Sequence, residues 1–265
     1  MTTITPLYPE GKIKTVTFSY DDGIRDDIRL VEIFNRFGMK ATFNLISSRL
    51  ENETHVHADE IPRVYAGHEI ASHSANHPFL DRIPKACALN DLLEDRRILE
   101  KVTGSIINGF ALPFGTYSRE TLELVRAAGY LYCRTVHSTQ NFNWPNDFLE
   151  WNPTCHHRDA EKLCSTFLNC NYAVMPLFYI WGHSYEFSNN NNWDLIENIC
   201  GELGGQTDTW YATNGGIARY ISALRRLETS ADAEIIHNPT AISLWFRKAS
   251  GEMFELKPGE TVTLN

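Results

Sequence analysis

Two adjacent carboxylates follow an apolar stretch near the start of the chain. In TFSYDDG, residues 17–23, a segment of strand-forming residues runs directly into Asp21, Asp22 and a glycine. Two such negative charges side by side repel each other, and each raises the pKa of the other unless an opposite charge offsets the repulsion. A bound cation could be held by one carboxylate while the other remains available as a base.

Two histidines farther along the chain have a spacing suited to metal binding. In GHEIASHSANHPFL, residues 67–80, His73 and His77 are four residues apart. We expect them on one helical turn with both imidazoles on the same face, which is a natural geometry for two metal nitrogens. A carboxylate from elsewhere would complete a His-His-Asp site, and Asp22 is the obvious donor.

Each stretch alone has a simpler interpretation. Asp-Asp-Gly after a strand is more often a turn than a site, and an isolated His-x-x-x-His is more often a surface or core pair. Other histidine pairs are poorer candidates for metal binding. His55 and His57 lie in the polar stretch ENETHVHADE, and the adjacent His156 and His157 are expected to point to opposite faces of a strand.

The segments between these residues alternate between strand and helix patterns. Residues 14–20 are predicted to form a strand, 26–37 a helix ended by Gly38, and 40–46 a strand. A helix ended by Gly104 and a strand at 106–112 follow, and then a helix capped by Ser118 and the strand-like YLYCRTV, residues 130–136. This order through residues 14–229 predicts right-handed βαβ units and a parallel sheet, open or closed as a barrel. Active sites on such sheets lie at the carboxyl ends of the strands, where Asp21 and Asp22 are expected.

The last segment has a different pattern. From about residue 231, apolar residues alternate with polar ones, as in Ile242, Leu244 and Phe246. We therefore expect two parts, a (β/α) domain at residues 1–230 and a small C-terminal β extension at residues 231–265.

Composition excludes several classes of partner. The net charge of −9 disfavours nucleic acid and anionic membrane surfaces. No apolar run approaches the roughly 20 residues of a membrane helix, and the N-terminal residues lack the pattern of a signal peptide, so we expect a cytoplasmic protein. The six cysteines form no CxxC pair, which predicts reduced, mostly buried thiols. The oligomeric state is not indicated.

Several motifs together resemble those of a known family. TFSYDDG, GMKATFNL, GHEIASHSANHPFL, VTGS, GFALPFGTY and GHSYEF occur in the order typical of the polysaccharide deacetylase (NodB-homology) family. The resemblance spans roughly residues 14–185 and implies an α/β fold, a distorted (β/α) barrel of the polysaccharide deacetylase type. It implies that Asp21 is the general base and His183 the general acid. It also implies that the three metal ligands are Asp22, His73 and His77.

The resemblance further implies a reaction. A metal-dependent hydrolase of this type removes N- or O-linked acetyl groups from a carbohydrate, here an acetylated oligosaccharide or glycoconjugate. Zinc is the expected divalent metal for a His-His-Asp set, with cobalt, nickel, iron or manganese as alternatives. The turn at Pro113 and Phe114 is expected to offer a backbone N–H to the oxyanion, and Phe114 and Trp181 are expected to line the substrate site.

The sequence departs from the family pattern in two places. The arginine that the family commonly has two residues before the proline of its third motif is Ala111 here. The fourth motif, Asp-x-x-Asp-Trp, has no clean counterpart in residues 135–144, so the aspartate that would tune His183 is not identified. Two other functions therefore stay open, a hydrolase of a non-sugar amide on the same scaffold and a carbohydrate-binding protein that has lost catalysis.

Overall fold

The computed structural model of the chain describes residues 4–171 and 173–264. Within these ranges it has fourteen strands and eight α-helices. The strands are β1 (Ile4–Leu7), β2 (Lys14–Asp22), β3 (Ala41–Leu45), β4 (Glu69–Ser72), β5 (Gly109–Ala111), β6 (Tyr132–Arg134), β7 (Cys155–His156), β8 (Leu177–His183), β9 (Thr209–Tyr211), β10 (Glu228–Thr229), β11 (Ile235–His237), β12 (Leu244–Lys248), β13 (Met253–Leu256) and β14 (Thr261–Thr263). The helices are α1 (Asp27–Arg36), α2 (Ile61–Val64), α3 (Lys85–Thr103), α4 (Arg119–Ala127), α5 (His157–Leu168), α6 (Tyr185–Asn190), α7 (Trp193–Leu203) and α8 (Asn214–Leu224).

A parallel sheet of eight strands forms the centre of the molecule. Seven strands follow the order β6-β5-β4-β3-β2-β8-β7, and β9 pairs with the first residues of β2. The central strand β2 therefore has β3 on one side and β8 on the other, and the register sets Asp21 between Asn44 and His183. The parallel sheet predicted from the alternation of strands and helices is confirmed.

The two ends of this sheet are joined through the segment 151–156. Trp151 forms a bridge to Arg134 at the end of β6, and the Thr154 amide donates to the Tyr179 carbonyl of β8 at 2.8 Å. The sheet thus curls into a distorted (β/α) barrel, which confirms the predicted fold class. The strand predicted at 106–112 is shorter than expected, since only the three residues of β5 pair with a neighbour.

Local sequence signals explain where the helices begin and end. The helix α3 ends at Gly104, whose φ of 64° is left-handed and costs glycine little. The Ser118 side chain caps α4 by accepting from the Thr121 amide. On α1, Phe34 packs against Phe18 of β2 with ring centroids 4.7 Å apart, and burying such a ring stabilises the fold by roughly 1.5–3 kcal/mol.

Small antiparallel sheets built from both ends of the chain pack beside the barrel. One has the strand order β1-β12-β13 and the other β10-β11-β14. The Tyr220 hydroxyl of α8 links the first of these sheets to the barrel, since it donates to the Leu7 carbonyl of β1 at 2.6 Å and accepts from the Trp245 amide of β12 at 3.0 Å. The division of the chain near residue 230 stays a prediction. Among the described residues, no helix has the length and hydrophobicity needed to cross a membrane.

A buried carboxyl lies in the first turn of α1. Asp27 Oδ2 accepts a hydrogen bond from the Tyr65 hydroxyl at 2.8 Å, while Oδ1 accepts none from the described residues. Burial raises the pKa of Asp27 to about 7, and the hydrogen bond from Tyr65 opposes that rise. Ionisation of Asp27 therefore costs more in the folded chain than in the unfolded one.

Replacing Asp27 should change how stability depends on pH. Because the folded pKa lies above the unfolded value of about 3.9, the carboxyl favours folding below that value and loses this effect as pH rises through about 7. Asn cannot ionise, so the free energy of unfolding of Asp27→Asn should improve relative to the wild type between pH 5 and pH 8, by on the order of 1–4 kcal/mol. Urea unfolding at both pH values measures this difference. An equal difference at the two pH values would contradict it.

Candidate active site

The three predicted metal ligands come together at the carboxyl edge of the sheet. The Nε2 atoms of His73 and His77 are 3.2 Å apart, and they lie 3.8 and 3.9 Å from Asp22 Oδ1. Donors bound to one zinc at about 2.0–2.2 Å in a tetrahedral arrangement are about 3.3 Å apart, so this triangle fits a single ion. Asp22 Oδ1 is also buried and accepts no hydrogen bond from the described part of the chain.

Both histidines have the protonation state that metal binding needs. Burial lowers the pKa of His73 and lowers that of His77 to about 4, so that both rings are neutral near pH 7. His73 Nδ1 lies 2.8 Å from the Ala111 carbonyl, which directs Nε2 towards Asp22. Such a contact on the far side of a ligating ring fixes both its tautomer and its orientation.

The prediction that His73 and His77 lie on one helical turn is wrong. His73 follows directly after β4, and the residues from it to His77 form a loop. Ser74 and His77 have φ values of 65° and 53° in the left-handed region, and these two turns bring the rings into contact. The two imidazoles, four residues apart in the sequence, are therefore brought together by a loop and not by a helical turn.

Other residues of the site also have left-handed backbones. Asp22 has φ of 80° and Phe114 has φ of 58°. For residues other than glycine this region costs roughly 1–3 kcal/mol each, and it persists where the surroundings hold the backbone in place. In a regular strand Asp21 and Asp22 would point to opposite faces. The turn at Asp22 lets both carboxylates line the same pocket.

Asp21 is buried and held by polar groups from neighbouring strands. Its Oδ1 accepts from Asn44 Nδ2 at 2.8 Å, and its Oδ2 accepts a short hydrogen bond from the guanidinium of Arg134. Burial raises the pKa of Asp21, but the charge of Arg134, supported by His73 and His183, outweighs burial and leaves that pKa below its usual value. Asp21 is therefore a charged carboxylate outside the ligand triangle.

Arg134 is the main functional residue that the sequence analysis missed. It lies on β6 directly beside Ala111 of β5, the position at which the family commonly has its arginine. The guanidinium thus reaches Asp21 from the next strand, and it also lies 4.6 Å from the centroid of the Trp181 ring. The sequence could have revealed Arg134 because this charged residue lies inside the apolar strand YLYCRTV, and a buried charge requires a partner.

His183 lies at the end of β8 with a carboxylate behind it. Its Nε2 is 3.9 Å from Asp21 Oδ2, and its Nδ1 is 2.7 Å from Glu186 Oε1. Burial alone would lower the pKa of His183, but the hydrogen bond to Glu186 and the charges of Asp21 and Asp22 raise that pKa overall. A carboxylate behind His183, which the sequence did not reveal, is thus supplied by Glu186. The feature of the sequence that could have identified Glu186 was its position, three residues after His183.

Two further histidines face the same glutamate. His156 is the last residue of β7 and His157 the first of α5, and the change from strand to helix turns both rings towards Glu186. The expectation that they point to opposite faces is therefore wrong. Burial raises the pKa of Glu186, but its hydrogen bonds with His156, His157 and His183 lower that pKa far below the usual value.

A pocket of about 530 Å³ opens above these groups. Phe114 is half exposed in its wall, stacks on Phe79 with centroids 3.9 Å apart and meets His77 edge-on at 4.4 Å. Pro113 is buried beneath the turn, so the wall is made by its neighbours. The lining consists of Asp21, Asp22, His73, His77, Leu112, Phe114, Val136, Arg158, Trp181, His183 and Tyr185.

Comparison with protein families identifies the class of this site. Residues 9–133 match the family model described as polysaccharide deacetylase. This match confirms the resemblance found in the sequence and makes the chain a hydrolase of the deacetylase class. No curated protein matches the chain in sequence.

Several solved structures share the architecture of this chain. A Mycobacterium smegmatis protein assigned to the polysaccharide deacetylases has a TM-score of 0.64 at 19% identity, over 83% of this chain and 94% of its own. A probable polysaccharide deacetylase from Pseudomonas aeruginosa PAO1 has a TM-score of 0.65 at 15% identity, over 80% and 92%. Puue allantoinase has a TM-score of 0.64 at 14% identity, over 80% and 91%. At such identities the likeness shows a shared fold.

Removing one imidazole should remove one bound metal ion. His77→Ala is preferred to a change at His73 because the His77 side chain is 14% exposed, against 2% for His73. After loading with zinc and dialysis, elemental analysis should find about one equivalent less metal in the variant than in the wild type. His137→Ala, at an exposed histidine, is the matched control and should keep the full amount. Full retention by His77→Ala would refute the site.

The pairing of Arg134 with Asp21 can be tested through stability. Arg134→Gln leaves a buried carboxylate uncompensated and should lower the free energy of unfolding by about 3–5 kcal/mol. Adding Asp21→Asn removes that carboxylate, so the double variant should be more stable than Arg134→Gln alone. A double-mutant cycle from urea unfolding measures the coupling between the two side chains. Strictly additive costs would show that they do not depend on each other.

Proposed function

We propose that the chain is a metal-dependent hydrolase that removes N- or O-linked acetyl groups from a carbohydrate. One observation carries this proposal. Asp21 is a charged carboxylate outside the ligand triangle, and it lies between that triangle and His183 at the base of an open pocket. The proposed base Asp21, the ligand triangle and the proposed acid His183 thus surround one space in which an acetyl group would fit.

The residues present fit a divalent cation. Asp22, His73 and His77 would hold it, with zinc as the first choice and cobalt, nickel, iron or manganese as alternatives. When bound, the ion would polarise the acetyl carbonyl and make water more acidic. The net negative charge of the ligand set, one carboxylate with two neutral imidazoles, suits a doubly charged ion.

Asp21 is the proposed general base. Arg134 and Asn44 hold its carboxylate in one orientation, so it can accept a proton from the attacking water without rotating. The carbonyl oxygen becomes negative on attack. A backbone N–H of the turn Pro113–Gly115, which forms the edge of the pocket beside Phe114, is the proposed donor to this oxygen.

His183 is the proposed general acid. Its Nδ1 is held by Glu186, so a proton on Nε2 faces the pocket and can pass to the departing amine or alcohol. The raised pKa of His183 favours the protonated form that this step requires. The bond from the acyl carbon to the sugar nitrogen or oxygen then breaks, and the products are acetate and a deacetylated sugar.

The substrate proposed is an acetylated oligosaccharide or glycoconjugate. Phe114 presents an exposed ring supported by Phe79, and Trp181 lies beside His183 with ring centroids 5.8 Å apart, so aromatic rings in the pocket are available for sugar rings. The match of residues 9–133 to the polysaccharide deacetylase model supports a carbohydrate over other acetylated compounds. A cytoplasmic location stays a prediction from the sequence.

A second candidate is hydrolysis of a non-sugar amide. The similarity to Puue allantoinase over 80% of the chain motivates it, because that protein is named for a substrate that is not a sugar. The third possibility, a binding protein without catalysis, is disfavoured because base, ligands and acid are all present and close together.

Acetate release distinguishes these candidates. Zinc-loaded protein should release acetate from N-acetylated chitooligosaccharides or O-acetylated xylooligosaccharides, and Asp21→Asn should lower kcat by roughly 100- to 10,000-fold. Asp194→Asn, on the exposed face of α7, is the matched control and should keep full activity. Turnover of allantoin without acetate release would support the second candidate instead. Glycan binding with no turnover of either kind would overturn the hydrolase proposal.

A further inference from the structure

A second group of metal-ligating side chains lies behind the active-site histidine. It consists of His156, His157 and Glu186, called here the Glu186 cluster. The Nε2 atoms of both histidines lie 3.3 Å from Glu186 Oε2, and that of His156 is equally far from Glu186 Oε1. One donor atom from each of the three residues falls within 4.8 Å of the others.

These contacts are long for hydrogen bonds to a carboxylate, and their lengths also match donors that share an ion. Charge-assisted N–H···O bonds to a carboxylate are typically about 2.7–2.9 Å long, as is the 2.7 Å contact between His183 Nδ1 and Glu186 Oε1. His156 and His157 are both farther from their oxygen than that. A separation of 3.3 Å is that of two donors bound to one ion at about 2.0–2.2 Å.

The two rings are held in place by packing. The ring of His157 stacks between Tyr20 and Phe187, with centroids 5.9 and 4.3 Å away. A Cβ on Gly182 would lie 2.0 Å from His157 Nδ1, so the glycine makes room for this ring. His156 meets the Trp181 ring edge-on at 4.9 Å. Ligands held in this way lose little entropy when an ion binds.

Of the three side chains, the carboxylate is the one most exposed to solvent. The Glu186 side chain is 24% exposed, while those of His156 and His157 are buried. An ion could therefore enter over the carboxylate and keep water in its remaining coordination positions. The Arg158 amide donates a long hydrogen bond of 3.4 Å to His156 Nδ1, and ion binding through Nε2 would break it because Nδ1 would then carry the ring proton.

We propose that the Glu186 cluster is a second divalent-cation site, with His156 Nε2, His157 Nε2 and Glu186 Oε2 as its protein ligands. Two imidazoles and one carboxylate select zinc, cobalt, nickel or iron(II) over magnesium or calcium. The other oxygen of Glu186 remains bound to His183, so the ion would hold the carboxylate that orients the active-site histidine. This site does not depend on the proposed reaction.

Metal stoichiometry in a set of four proteins tests the proposal. After zinc loading and dialysis, elemental analysis should find about two ions in the wild type, one in His77→Ala, one in Glu186→Gln and none in the double variant. Glu161→Gln, at an exposed glutamate of α5, is the matched control and should match the wild type. In His77→Ala, zinc affinity measured against a competing chelator should fall at least tenfold when Glu186→Gln is added.

Two outcomes would overturn the second site. The first is a wild type with one ion that His77→Ala loses completely. The second is a Glu186→Gln variant that binds as much zinc as the wild type with the same affinity. Circular dichroism verifies that each variant folds. If Glu186→Gln does not fold, it is replaced by His156→Gln, which keeps the glutamate. Anomalous scattering at the zinc edge from crystals of His77→Ala should then place the remaining ion between Glu186 and the two histidines.

Discussion

A carboxylate that stays charged while fully buried is the constraint on which the rest of the site depends. Asp21 meets this constraint because a guanidinium and an amide approach it from two other strands of the sheet. Asp22 beside it differs in environment, since its Oδ1 accepts no hydrogen bond from the described residues and is left for a cation. Two chemically identical side chains thus acquire different properties from their neighbours alone. The left-handed turn at Asp22 is what allows both to face one pocket.

The sequence was sufficient for the parts of the molecule that local patterns determine. Alternating strand and helix signals, with glycines at helix ends, predicted the parallel sheet, and strand-end carboxylates and spaced histidines predicted which residues the site brings together. Contacts between distant segments were not predictable in this way. Arg134 meets Asp21 across 113 residues of chain, and Glu186 meets His156 across 30. Such contacts depend on strand order and register, which no local pattern encodes.

The wrong predictions had a common physical cause. His73 and His77 were assigned to a helix, and His156 and His157 to one strand, because regular periodicity was assumed. In both cases the backbone leaves a regular element at the residues concerned, by left-handed turns after β4 and by a strand-to-helix change at β7. The failure to predict Arg134 has a related explanation. Ala111 and Arg134 are register partners, so the positive charge reaches the same place in space from a different strand.

The position of β2 also has a consequence for synthesis of the chain. One edge of this strand is covered by β3, which follows soon after it, but the other is covered by β8, about 160 residues later. Until that segment has left the ribosome, an apolar strand keeps an unpaired edge that other chains could join. The same pairing brings His183 beside Asp21. The step that ends the risk of aggregation during translation is therefore also the step that brings these two side chains together.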